Sequence, residues 1–124
     1  MLVFRREKRT TERDASWTPF INTPMHPEYP CAHCISSGAA AGVLQALFGN
    51  DIPEVTMTST TLPGVTRRWT KLSDYSDEVM MGRVYGGFHY RFSGKVGQDM
   101  GKKIADLTMS TQLVGQSASA TPSR

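Results

Sequence analysis

No apolar run in this sequence approaches the roughly 18 residues needed to cross a bilayer. The longest apolar region, Gly38 to Phe48, is interrupted by Gln45, so no membrane span is expected. Met1 to Phe4 is apolar but far too short for a signal peptide, and the charged run Arg5 to Arg9 follows at once. A soluble protein is the expectation. Cysteine is scarce: two in 124 residues rules out a disulfide scaffold. Charge is close to balance, with a net of +3. Most of the excess lies in Arg5, Arg6, Lys8, Arg9 and Arg13, which read as a solvated, poorly ordered head over residues 1–16 and not as a nucleic-acid surface. What remains is ordinary globular composition, 39% hydrophobic and 20% charged, enough for one small domain.

Proline is concentrated where it is present. Pro19, Pro24, Pro27 and Pro30 fall within 14 residues, Trp17 to Pro30. Each removes a backbone donor and fixes φ, so neither a helix nor a central strand persists there. The segment reads as an extended, ordered loop pinned by Trp17, Phe20, Ile21 and Tyr29. From Cys31 to Phe48 there is no proline. Val43, Leu44, Leu47 and Phe48 recur at helical spacing, and Gly49 suits the residue after a helix end. Gly38 to Gly42 is a small-residue stretch that lets a neighbouring helix approach closely. A buried core helix over Cys31–Phe48 is expected.

Residues 54–71 carry alternating Val55, Met57, Ser59 and Thr61, then Val65 to Trp69. Leu62-Pro63-Gly64-Val65 between them fits a type II turn, and a hairpin or an irregular excursion fits equally well. Ser73-Asp74 opens a second helix that Gly86-Gly87 ends, with Asp74, Asp77 and Glu78 near its positive end. A third helix begins near Gly94, its apolar positions Val96, Met100, Ile104 and Leu107 recurring at helical spacing. Beyond Ser110 periodicity fades, and residues 114–124 read as a disordered tail. The fold class is mostly α: about three helices and a loop-rich β excursion, with the domain proper over residues 17–113.

Two segments offer chemistry: His26 to His33, leading into the first helix, and Gly82 to Ser93, at the end of the second. A helix N-terminus presents unpaired N–H groups and a positive dipole end to an anion. His33 sits in that first turn. Arg83 adds a permanent planar charge suited to phosphate-like oxygens, and Gly86-Gly87 allow a turn that returns His89 towards it. One anion, one Arg and two His supply a nucleophile or ligand together with a proton carrier.

Pro30-Cys31-Ala32-His33 resembles the P-S-G-H motif of the vanadium haloperoxidase and type 2 phosphatidic acid phosphatase superfamily. Arg83 followed by five residues and His89 resembles its R-x5-H element. Trp17-Thr18-Pro19-Phe20, Thr23-Pro24, His26 to Pro30 and Gly86 to Ser93 are similar to the soluble haloperoxidase-related branch, and the likeness extends from about Thr11 to Leu113. The resemblance implies a helical-bundle fold and a vanadate cofactor, with phosphate able to occupy the same site. It implies hydrogen peroxide and a halide, or else a phosphate ester, as substrates. His89 takes the role of axial vanadium ligand, or of the group that attacks phosphorus to give a phospho-His intermediate in a phosphatase. His33 takes the role of general acid/base, Arg83 that of binding equatorial oxygens, and Cys31 and Ala32 those of oxyanion donors.

The sequence departs from the pattern in places. Cys31 puts a thiol where a hydroxyl is usual, a weaker donor. Ser93 stands where an Asp commonly orients the second imidazole. The superfamily's K-x6-R-P element, a source of a Lys and an Arg for the oxyanion, is not in the chain. The resemblance implies a peroxidase where that element is supplied and an inactive fragment where it is not. Two other readings stay open. Cys31 and Cys34 form a C-x-x-C spaced for redox chemistry or, with His26 or His33, for zinc. A non-catalytic helical module retaining only the fold is the other.

Overall fold

The computed structural model describes residues 14–112, so the tail at 114–124 and nearly all of the basic head lie outside the described residues. Five elements follow the proline-rich loop: α1 (Ala32–Phe48), β1 (Asp51–Ser59), β2 (Leu62–Lys71), α2 (Leu72–Tyr85) and α3 (Arg91–Thr111). The three helices pack on one another, α1 chiefly against α3, and the hairpin extends from them towards solvent. A mostly α, helical-bundle architecture with a small β excursion is therefore what the chain adopts.

The α1–α3 contact is made by small residues. Cys34, Ser37, Gly38 and Ala41 are buried on α1, and Ser93, Gly94, Gly97, Gly101 and Ala105 on α3. A Cβ added at Gly101 would fall 2.6 Å from the Ala39 nitrogen, and one at Gly97 would fall 2.6 Å from the Cys31 carbonyl oxygen. Backbone touches backbone here, so no side chain fits between. The small-residue stretch in α1 thus does what its composition suggests. The larger apolar residues do not follow the expected pattern: Leu44, Leu47 and Phe48 on α1, and Met100, Ile104 and Leu107 on α3, are exposed. Helical periodicity located both helices, but the buried face of each is the face with the least side-chain volume.

The β excursion is a hairpin, with β1 antiparallel to β2. Its turn is Thr60-Thr61, because Ser59 pairs with Leu62. Pro63 and Gly64, expected at the turn, lie instead in β2, where the register jumps between the Ser59–Leu62 and Thr58–Thr66 pairs. Gly64 takes φ +80 there, as a bulge requires. Trp69 ties the hairpin to α2, its ring edge-on to Tyr75 at 5.4 Å and its indole N–H donating to Glu78 at 2.8 Å.

Helix α2 starts one residue before Ser73, and its cap comes from elsewhere in the chain. The Asn50 carbonyl oxygen accepts from the Leu72 N–H at 3.0 Å, and the Asn50 side chain accepts from the Ser73 N–H at 3.0 Å. Gln45 of α1 donates to the same side-chain oxygen at 2.9 Å, so one Asn fastens the end of α1 to the start of α2. The proline-rich loop is irregular, as expected, but Trp17, Phe20, Ile21 and Tyr29 are all exposed. Trp17 still covers Gly87, and the Phe20 N–H donates to the Gly86 carbonyl at 3.2 Å while its ring points outward. Backbone hydrogen bonds fix this loop more than apolar side chains do.

Candidate oxyanion site

The site forms where three chain segments meet: the end of the proline-rich loop, the first turn of α1, and the link from α2 to α3. Cys31 is the N-cap of α1, and its sulfur accepts from the Cys34 N–H at 3.3 Å. Ala32 and His33 occupy the first two helical positions, where N–H groups have no intrahelical acceptor. Arg83 lies in the last turn of α2, and the chain reverses through Gly86 and Gly87 so that the Phe88 N–H returns to the Arg83 carbonyl at 3.1 Å. That reversal places the Phe88 ring 4.5 Å from the guanidinium carbon and delivers His89 to the same side.

His26, His33 and His89 cluster. The His26 ring centroid is 5.7 Å from that of His33 and 5.7 Å from that of His89, and the planes of His26 and His89 are nearly parallel. Arg83 stands close enough to His33 for its charge to bear on the imidazole. Partial desolvation of its ring and the charges of Arg83, His26 and His89 hold His33, an exposed residue, below its usual pKa. Burial alone pulls the Arg83 guanidinium down.

The four candidates His33, Arg83, Cys31 and Ala32 thus share one corner with His89, and His26 joins them. His26 stood out in the sequence only as part of its segment and as a conceivable zinc ligand. The seven-residue spacing to His33 runs through a proline-rich loop, and no periodicity rule reports that the loop folds back.

His89 is the most constrained member. Its Nδ1 lies 2.5 Å from the Glu28 carbonyl oxygen, which can only accept, so Nδ1 carries the proton in the neutral ring. The lone pair is then on Nε2, which is buried and has no partner. His26 Nε2, Arg83 Nε and Arg83 Nη2 are also buried without partners. Buried polar atoms are nearly always paired, so these four unpaired ones mark room for a ligand, and the two Arg83 N–H groups among them suit an anion.

Glu28 does the orienting expected of the residue at position 93. Its carbonyl accepts from His89 and from the Ser93 hydroxyl at 2.7 Å, and its carboxylate accepts from the Tyr90 N–H at 2.9 Å while lying 3.6 Å from His89 Nδ1. Ser93 therefore acts on His89 through Glu28. Cys31 differs from expectation too: it is bonded to Cys34, so its sulfur has no S–H to donate, and its backbone N–H goes to the Ser93 carbonyl at 3.3 Å. Among the described residues no group of three His, Cys, Asp or Glu side chains is placed to hold a metal cation, and the disulfide occupies both sulfurs that a zinc site would use. No helix among the described residues is long and apolar enough to cross a membrane.

A family model described as the VCPO second helical-bundle domain matches residues 4–115. The chain is 32% identical over 104 residues to a vanadium-dependent bromoperoxidase of Ascophyllum nodosum, a match covering 74% of this chain and 19% of that protein. It is similar to the crystal structure of a bacterial vanadium-dependent iodoperoxidase, with TM-score 0.68 and 32% identity over 77% of this chain and 23% of that one. The holo form of a bacterial vanadium-dependent chloroperoxidase aligns at TM-score 0.63 and 20% identity over 77% of this chain and 23% of that one, which speaks for the fold. The chain spans about a fifth of the length of the curated relative it matches.

Proposed function

The chain belongs to the vanadium haloperoxidase family as its second helical-bundle domain, and from that premise we propose that it supplies part of a vanadate site for oxidation of a halide by hydrogen peroxide. The observation that carries this reading is the convergence of His26 Nε2, His89 Nε2, Arg83 Nε and Arg83 Nη2, all buried and unpaired. The two Arg83 N–H groups suit the oxygens of a small oxyanion, and the His89 Nε2 lone pair suits its central atom. When bound, vanadate supplies the Lewis-acidic centre at which hydrogen peroxide is activated towards a halide.

The protein residues divide the remaining work. His89 would hold vanadate through its Nε2 lone pair, which the Glu28 carbonyl leaves free by fixing the proton on Nδ1. Arg83 contributes two N–H donors and a charge, held in place by the Phe88 ring beneath it. Ala32 contributes the N–H of the first turn of α1, where the helix dipole adds partial positive charge. Cys31 offers the anion neither group in this state, since its N–H is engaged and its sulfur is cross-linked. His33 is held below its usual pKa, so its ring is neutral at neutral pH and ready to take a proton from an incoming peroxide.

The test is a vanadate titration of the purified chain, with bromide oxidation and phosphate-ester hydrolysis followed in parallel, wild type against His89→Ala. Vanadate binding that is lost in His89→Ala is expected of the chain, and bromide oxidation once the K-x6-R-P element is supplied in trans. Equal behaviour of the two proteins would sink the site, and ester hydrolysis without bromide oxidation would turn the reading towards a phosphatase.

A further inference from the structure

The C-x-x-C at the start of α1 is the one chemical motif the proposed function leaves unused. Its two sulfurs are bonded to each other and fully buried, packed with Met80. Ala32 and His33, the residues they enclose, are exposed. The cross-link is thus anchored in the core while the turn it closes faces the site.

We infer that Cys31 and Cys34 are a redox-active positioning pair for His33, with the disulfide form competent to bind the oxyanion and the dithiol form impaired. This rests on the oxyanion reading above. The first turn of a helix is where N–H groups lack intrahelical partners and the chain frays. Here that turn is held non-covalently by the Ile35 N–H to the Cys31 carbonyl at 3.0 Å and by the long Cys34 N–H contact to the Cys31 sulfur at 3.3 Å. The S–S bond removes the remaining freedom. It also reaches the other imidazole, since the Cys31 N–H donates to Ser93, Ser93 donates to Glu28, and Glu28 accepts from His89. Both halves of the cradle therefore hang on one covalent turn. His89 Nε2, buried and unpaired, faces the same cluster.

The chemistry balances with a reactant already in the proposed reaction. Two thiols and one hydrogen peroxide give the disulfide and two waters: the O–O bond breaks, the S–S bond forms, and each oxygen leaves as water with a thiol proton. The reverse needs a small dithiol, whose thiolate attacks one sulfur to give a mixed disulfide, after which its second thiol closes a ring and releases both cysteines as thiols.

The test measures binding of inorganic phosphate to the full chain by calorimetry, oxidised and after treatment with dithiothreitol under anaerobic conditions, alongside the His33 ring signal in NMR spectra. About tenfold weaker binding after reduction is expected, a typical size for coupling between sites. The His33 ring signal should broaden while α3 amide signals stay dispersed, and hydrogen peroxide should restore affinity. Cys31→Ala/Cys34→Ala should match the reduced protein and ignore dithiothreitol. Equal affinity of the oxidised and reduced chains would overturn the pair and leave the cradle standing. A disulfide that resists dithiothreitol in the folded chain, or α3 signals that collapse on reduction, would make the bond a plain staple and also overturn it. An oxidised chain with no affinity for phosphate would remove the cradle and the pair together.

Discussion

Along α3, the face turned to α1 carries Ser93, Gly94, Gly97, Gly101 and Ala105, all buried, while another face carries Met100, Ile104 and Leu107, which remain 40%, 46% and 63% exposed. The first face has almost no side chain to contribute, yet it makes the main helix–helix contact of the described residues. The second has the volume and does not use it there. Close approach of two backbones brings many small van der Waals contacts within range at once, and it needs the absence of side chains. The difference shows where this chain tolerates change: along the seam a single methyl group is too much, whereas on the stripe a whole side chain is held by little. The candidate site sits at the seam end of this contrast, because Cys31 and Ser93 belong to the seam and also hold the loop that carries Glu28.

Substituting the seam should have the largest effect. Gly101→Ala places a Cβ 2.6 Å from the Ala39 nitrogen, so α1 and α3 must move apart. A loss of about 3 kcal/mol in denaturant unfolding is expected, and an unchanged midpoint would refute the close-packed seam. Ser93→Ala is smaller: it removes the 2.7 Å bond to the Glu28 carbonyl and should cost about 1 kcal/mol. Its sharper signature is a shifted His89 ring resonance, since that same carbonyl fixes the His89 proton.

The third effect is visible only against pH. His33 is held below its usual 6.5 in the folded chain, first by partial desolvation and then by Arg83, His26 and His89, so between the folded value and 6.5 the unfolded chain binds more protons. Stability should be fully present above that window and fall as pH drops through it. His33→Gln should flatten this part of the stability profile, and a slope unaltered by the substitution would place the titration elsewhere. Smallest of all, Ile104→Ser and Leu107→Ser should each shift the stability of this chain by no more than about 0.5 kcal/mol. A cost of several times that would mean the stripe is covered in solution.

The helices were legible in the sequence because their signals are local. Gly49 and Gly86-Gly87 mark the helix ends, and the apolar spacings in α1 and α3 mark their extent within a few residues. Which face is buried was not legible: periodicity weighs hydrophobicity, and Gly97 or Gly101 carries no such weight. The hairpin turn was also read in the wrong place. Pro63-Gly64 is the stronger turn signal, but the pairing across β1 and β2 draws it into a bulge and leaves Thr60-Thr61 to reverse the chain. The motif residues His33, Arg83 and His89 were each weak alone and informative only as an ordered set. Glu28 and His26 were missed in their present roles because both act through contacts across more than fifty residues of chain, which no local pattern reports.

The Glu28 connections join residues 61, 62 and 65 positions apart in the chain. Each closes a long loop, and the entropy of that closure is spent before any of these bonds returns its energy. The helices form from near neighbours; the corner holding His89 forms only when the chain ends of this region meet. The Tyr90 amide, bonded to the Glu28 carboxylate at the exposed rim of this corner, should exchange with solvent deuterium well before the amides in the middle of α1 and α3.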